Sequence, residues 1–241
     1  YFDPTFREAT HPIDSMPMVF VPAGEFLMGS LPSDVVAEDI EFPQHEVNLS
    51  GYWLDKNEVS VAQYMICVEA GGCTPPNTDD LSYGPVTHVT WADSAAYCEW
   101  AGRRLPTEAE WEKAARGIDG RAYAWGNSDP TTCGSNINFD SFGPRVLFPE
   151  EINYACLAPS GAMDMIGNVW EWVSDIFDPK YYANSPLDNP MGPESGNERV
   201  VRGGAWTTVN VDFLRTANRW HREPEFFSDA IGFRCALSES P

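Results

Sequence analysis

The chain is poor in basic side chains: 15 Lys and Arg stand against 36 Asp and Glu, a formal charge of −21 over 241 residues. No segment gathers Lys or Arg into a patch. Counterion release therefore cannot drive binding to DNA or RNA, and nucleic acid is excluded as a partner. Histidine is scarce as well. His11, His45, His88 and His221 are widely spaced and no Cys-x-x-Cys pair accompanies them, which argues against a zinc site. No apolar run reaches the length of a membrane-spanning helix, so the protein is not expected to be transmembrane. Internal repeats are missing too. The sequence from Tyr1 shows no signal peptide, which fits the expectation of a mature exported product, and residues 1–17, with Pro4, Pro12 and Pro17, read as an arm or linker able to tether the protein.

What is present points to a substantial core. Nine Trp, thirteen Phe and nine Tyr in a chain of 43% hydrophobic residues supply ample apolar surface. The length allows one large domain or two small ones. No composition break divides it, so a single domain over residues 18–238 is expected. Six cysteines among 20 Pro and 19 Gly fit an oxidised protein, which is secreted, periplasmic or at the cell surface. Cys67 and Cys73 bracket a short turn and suit a local staple; six buried free thiols are the alternative. Asn48-Leu49-Ser50 is a glycosylation sequon with meaning only in a eukaryotic secretory host. The acidic excess is solubility on the plain reading and divalent-cation binding on the sharper one.

Met18 to Ser30 alternates apolar and small residues about a turn, as a hairpin does. Pro32 to Pro43 is an acidic loop, and Glu46 to Asp55 reads as a strand. Ser60 caps a helix through Glu69, and Thr90 or Asp93 opens another that ends at Gly102. Thr107 and Glu110 have capping-box spacing, Lys113 and Arg116 suit the negative end of the helix dipole, and Gly117 stops the helix. From 118 to 200 no periodic helix is evident. Strand-like segments return at Arg199–Trp206 and Ala230–Ala236.

The wording of the third helix, Arg104-Leu-Pro-Thr-Glu-Ala-Glu-Trp-Glu112, resembles the signature of the formylglycine-generating enzyme, or sulfatase-modifying-factor, family. Five further motifs follow the family in order: Phe20-Val-Pro-Ala-Gly-Glu-Phe-Leu-Met-Gly-Ser30, Asp55-Lys-Asn-Glu-Val-Ser-Val-Ala-Gln-Tyr64, Gly167-Asn-Val-Trp-Glu-Trp172, Arg202-Gly-Gly-Ala-Trp206 and Ile231-Gly-Phe-Arg-Cys235. The stretch from Pro85 to Ala101 joins them to the helix. The resemblance implies an α+β fold, the family's variant of the C-type lectin fold, low in regular secondary structure, with long loops held by disulfides and calcium. It also implies a Cys98–Cys235 disulfide, leaving Cys133 for Cys156. One or two structural calcium ions come with it. One would take Asn136, Asp140 and the carbonyls of Ile137 and Phe142; the other would take Asp164, Glu171 and the carbonyls of Gly167 and Val169. Hard oxygen donors of this kind suit calcium.

The resemblance stops short of the chemistry. Aerobic formylglycine-generating enzymes bind copper(I) through a closely spaced cysteine pair after the Gly-Gly motif, and soft thiolates suit that ion. Counted from Arg202-Gly-Gly, those positions are Thr208 and Phe213, and Ala205 stands in place of the serine. No copper and no formylglycine generation are therefore expected. The scattered histidines also disagree with the iron-dependent sulfoxide synthases of the superfamily. Catalytic residues are assigned to none of the side chains. The primary expectation is a non-catalytic binding or structural accessory module that recognises a protein or other ligand through its C-terminal loop face, a protein partner foremost. That face comprises Trp170, Trp206, Thr208, Asn210, Asp212, Phe213, Arg215, Asn218, Arg219, Trp220 and His221, a mixture of aromatic, Arg and Asn side chains common at recognition surfaces. The alternative is a non-copper tailoring enzyme with a pocket near the same residues. The plainer reading is that the tryptophans are core and the arginines pair with acids.

Overall fold

In a computed structural model the described residues are 7–81, 83–128, 133, 139 and 157–239. Three α-helices form as the capping signals predict. Ser60, Thr90 and Thr107 each accept the backbone N–H three residues on, and Gln63, Asp93 and Glu110 return a bond to the cap's own N–H. These caps open α1 (Val61–Glu69), α2 (Trp91–Trp100) and α3 (Glu108–Arg116). Gly117 ends α3 at a φ of 74°, a conformation that a Cβ would strain.

The strands differ more from expectation. β1 (Glu8–Thr10), β2 (Pro17–Val21), β5 (Tyr52–Asp55) and β10 (Ala236–Ser238) form one sheet in the order β1-β2-β5-β10. Among the described residues β3 (Gly24–Met28) pairs only with β4 (His45–Leu49). The expected hairpin from Met18 is therefore absent: β2 is already paired on both edges, with β1 and β5, and the chain passes through Pro22 into another sheet. The single strand expected from Glu46 to Asp55 is two strands. They part at Ser50-Gly51, where a Cβ on Gly51 would meet Phe20 Cζ at 2.9 Å. Residues 8–17, expected as an arm, belong to the fold: β1 joins the sheet, and Asp14 and Met16 are buried.

The second four-stranded sheet, β8-β7-β6-β9, holds β6 (Trp170–Ile176), β7 (Arg199–Arg202), β8 (Trp220–Arg222) and β9 (Ile231–Phe233). β9 runs parallel to β6, and the other ladders are antiparallel. One apolar cluster gathers Val21, Leu49, Leu54, Trp111, Ile166 and Leu214, and a second gathers Tyr64, Tyr97, Leu105, Trp172 and Phe233. Cys67–Cys73 staples the end of α1, and Cys98–Cys235 ties α2 to the C-terminal segment. Cys133 is disulfide-bonded as well; Cys156, its expected partner, lies outside the described residues. The sequon Asn48 lies in β4, where its amide donates to Asp188 Oδ1 at 2.7 Å.

Candidate functional site

The Gly-Gly of the Arg202 motif sets the start of the C-terminal loop. Gly203 and Gly204 take φ values of 98° and 77°, and a Cβ on Gly204 would stand 2.6 Å from Leu214 Cδ2. Only glycine fits that approach. The chain then folds back at once. Thr208 donates its N–H to the Ala205 carbonyl, and its hydroxyl accepts the Ala205 N–H at 3.0 Å. Thr208 is thus a buried turn residue. Asn210 caps a short 3-10 turn by accepting the Asp212 N–H at 3.0 Å, and Phe213 on that turn is partly exposed.

The residues expected to form one face do not stay together. Trp206, Asn210, Asp212 and Phe213 line the outer loop, and Trp206 is held by bonds from its N–H to Asn168 O and from Nε1 to Asp229 O. Arg215, Asn218 and Arg219 instead point inward and are at most 4% exposed. Arg215 forks onto Glu41 with two bonds of 2.7 Å. Arg219 forks onto Glu108 with two of 2.8 Å and lies 4.0 Å from the Tyr182 ring centroid. Those two arginines are pillars of the loop. The Asn218 amide is buried without a hydrogen-bond partner among the described residues. Trp170 and Trp220 pack against the second core cluster, and His221 stacks on Phe177 at 3.8 Å with Nδ1 3.0 Å from Glu198. Val209, 72% exposed, together with Phe226 and Phe227, adds apolar surface that polarity patterns alone had not singled out.

Beneath the loop lies the segment Asp164–Glu171. Asp164, Gly167 and Asn168 all take positive φ, so the backbone coils tightly there. The Gly167 N–H donates to Gly203 O at 2.9 Å, joining this coil to the loop above. Glu171 is fully buried: Oε2 accepts from Trp111 Nε1 at 2.8 Å and Arg234 Nε at 2.7 Å, and Oε1 accepts from Arg234 Nη2 at 2.7 Å. Glu58, which the sequence reading passed over, holds the coil from the other side by accepting the Asn168 side-chain amide and the Val169 N–H. Burial, then the nearby Asp164 and Glu171 charges, push the Glu58 carboxyl well above the ordinary carboxylate range. Glu58, Asp164 and Glu171 thus all lie within electrostatic reach of Arg234. No group of three His, Cys, Asp or Glu stands close enough among the described residues to hold an ion by side chains alone, so main-chain oxygens would have to complete any shell. Asn136, Ile137, Asp140 and Phe142 lie outside the described residues.

The model of the sulfatase-modifying factor enzyme 1-like domain matches residues 4–239. The chain belongs to that family. Among relatives of the sulfatase-modifying factor family, a formylglycine-generating enzyme of Streptomyces coelicolor is 34% identical, with 95% of this chain and 91% of that protein covered. An inactive C-alpha-formylglycine-generating enzyme 2 of Mus musculus is 36% identical over 64% of this chain and 49% of its own length. The solved structure of PvdO from Pseudomonas aeruginosa shares the fold, with a TM-score of 0.78 at 24% identity, covering 98% of this chain and all of that one. Mixed helices and sheets with stapled loops are therefore the family's architecture carried by this sequence.

Proposed function

We propose that this family member does not generate formylglycine and acts as an exported binding or accessory module that recognises a protein partner. One observation carries the reading: between Gly203 and Arg234 the chain has no cysteine, and Thr208, at one expected thiol position, spends its hydroxyl on the Ala205 N–H. A hydroxyl closing a turn and the phenyl ring of Phe213 offer copper(I) no soft ligand. The outer loop instead offers the apolar groups Trp206, Val209 and Phe213, with Trp206 held through its N–H to Asn168 O and its indole to Asp229 O. Disulfides support an oxidising compartment. The test is twofold. Copper(I) with a Cys-x-Pro-x-Arg peptide should yield no turnover, and a stoichiometric protein should copurify from the native source and be lost in a Val209→Asp, Phe213→Asp variant. Turnover, or copurification unaffected by those changes, would overturn the proposal.

The same reading includes kinship to the C-type lectin fold and a structural calcium ion on Asp164, Glu171 and the carbonyls of Gly167 and Val169. The gathering of the Glu58, Asp164 and Glu171 carboxyl groups near Arg234 supports it. Calcium there would neutralise Asp164 and pin the coil under the loop. Chelation with EGTA should lower the melting temperature by several degrees, restored by calcium; an unchanged melt removes the ion from the account.

A further inference from the structure

A cavity of about 620 Å³ opens on the face formed by α2, the entry to α3 and the chain end, and shares no lining residue with the C-terminal loop or the Asp164 coil. Its volume is that of a small-molecule site, and its walls are mainly apolar: Leu49, Trp91, Ala95, Leu105 and Met191. The walls are held in place from behind. The Trp91 indole donates Nε1 to Val173 O at 2.8 Å, and Arg199 covers one of its faces at 3.7 Å. The lip carrying Met191 is strapped to the end of β4 through Asn189, whose side chain accepts the Ser50 N–H at 2.8 Å and whose own N–H donates to Asn48 O. A site so fixed needs little ordering when a ligand enters.

Charge decides what the ligand is. Both arginines of the lining are already matched. Arg103 is buried between Asp14 and Asp55, and Arg104 forks onto Glu110 with two bonds of 2.6 Å. Glu99 has no ion-pair partner among the described residues, and Glu239 reaches only Arg7, at 4.0 Å. The last turn of α2, which carries Glu99, has no basic residue to offset the negative end of its dipole. The net charge of −21 draws cations and repels anions at longer range. We propose that this cavity binds a small amphipathic cation, an apolar or aromatic body seated against Trp91 and Leu105 with an ammonium group held at the Glu99 and Glu239 rim.

Three probes of one shape test it by calorimetry on the full chain: 2-phenylethylammonium, neutral 2-phenylethanol and anionic 3-phenylpropionate. The cation should bind saturably with a Kd of about 1 mM or tighter, and the other two about fivefold or more weakly. Ala95→Phe, which fills the cavity from the half-buried side of α2, should weaken the cation about tenfold. Met191→Lys places a positive charge at an exposed lip position and should weaken it about fivefold without touching the core, so it decides the matter if Ala95→Phe fails to fold. No saturable binding of the cation, equal binding of the three probes, or wild-type affinity in Met191→Lys would each overturn the proposal.

Discussion

At the scale of single residues, the acidic side chains of α3 behave differently from a solvated helix face. Every residue from Glu108 to Arg116 is buried. Burial alone would raise the Glu108 carboxyl, but Arg219 and Arg202 beside it, with hydrogen bonds from Arg219 and Tyr182, hold it below the ordinary range. Glu112 joins the same network, accepting from Arg202 Nη2 at 2.6 Å and Arg116 Nη1 at 2.8 Å. Arg219→Ala should therefore cost about 3 kcal/mol in urea unfolding, because it removes the two-bond partner of a buried carboxylate and leaves Arg202 and Tyr182 alone to offset its charge. Asp175 shows the opposite sign. Burial, then the Glu108 charge, raises its carboxyl to about 7, while its Oδ2 accepts the Glu108 N–H at 2.8 Å. Its folded-state value lies above the unfolded one, so its contribution to stability is complete below about pH 4 and is lost as pH rises through about 7. Asp175→Asn should keep the acceptor and flatten the fall in melting temperature between pH 5 and pH 8.

At the scale of elements, local chemistry set the helices and tertiary pairing set the strands. Each helix begins at a Ser or Thr cap with its reciprocating partner three residues on, and all three caps lie where the sequence puts them. Thr107→Ala should cost about 1 kcal/mol, with Thr107→Ser restoring most of it in the same unfolding measurement. Strand partners are a different matter. The alternation from Met18 to Ser30 correctly marked two strands, yet it could not tell that β2 would be taken on both edges by β1 and β5. Pairing depends on segments far along the chain, and no local pattern encodes which of them arrives. The same blindness hid β1, whose three residues are exposed and carry no apolar alternation.

At the scale of the whole molecule, long-range ties replace regular structure. Cys98 and Cys235 lie 137 residues apart in sequence and close the second core cluster around Tyr97 and Phe233. Opening that loop in a Cys98→Ala, Cys235→Ala variant should lower stability by about 4–5 kcal/mol by chain entropy, read as a lower denaturation midpoint. Charged ties act over similar spans: Arg215 to Glu41, Arg219 to Glu108 and Arg234 to Glu171 each join segments distant in sequence. Together they fix the floor of the C-terminal loop.

The family, the three helices and the lack of thiols near Thr208 were all present in the order of residues, because caps, motifs and ligand chemistry depend on residue type and short spacing; the Cys98–Cys235 tie, 137 residues long, was implied only by the resemblance to the family. That Arg215 and Arg219 pair with acids was the plainer reading of the sequence, but which acids they pair with could not be assigned from residue type and short spacing. In sequence they stand among aromatic and polar neighbours like members of a recognition face, and only the arrival of Glu41 and Glu108 from far upstream turns them inward. The cavity beside Trp91 is likewise a product of tertiary structure, assembled from β4, α2, the α3 entry, the Asn189 lip and the chain end. A buried charge goes where its counterion is and a cavity lies where distant walls meet, and both are settled only when the chain closes on itself.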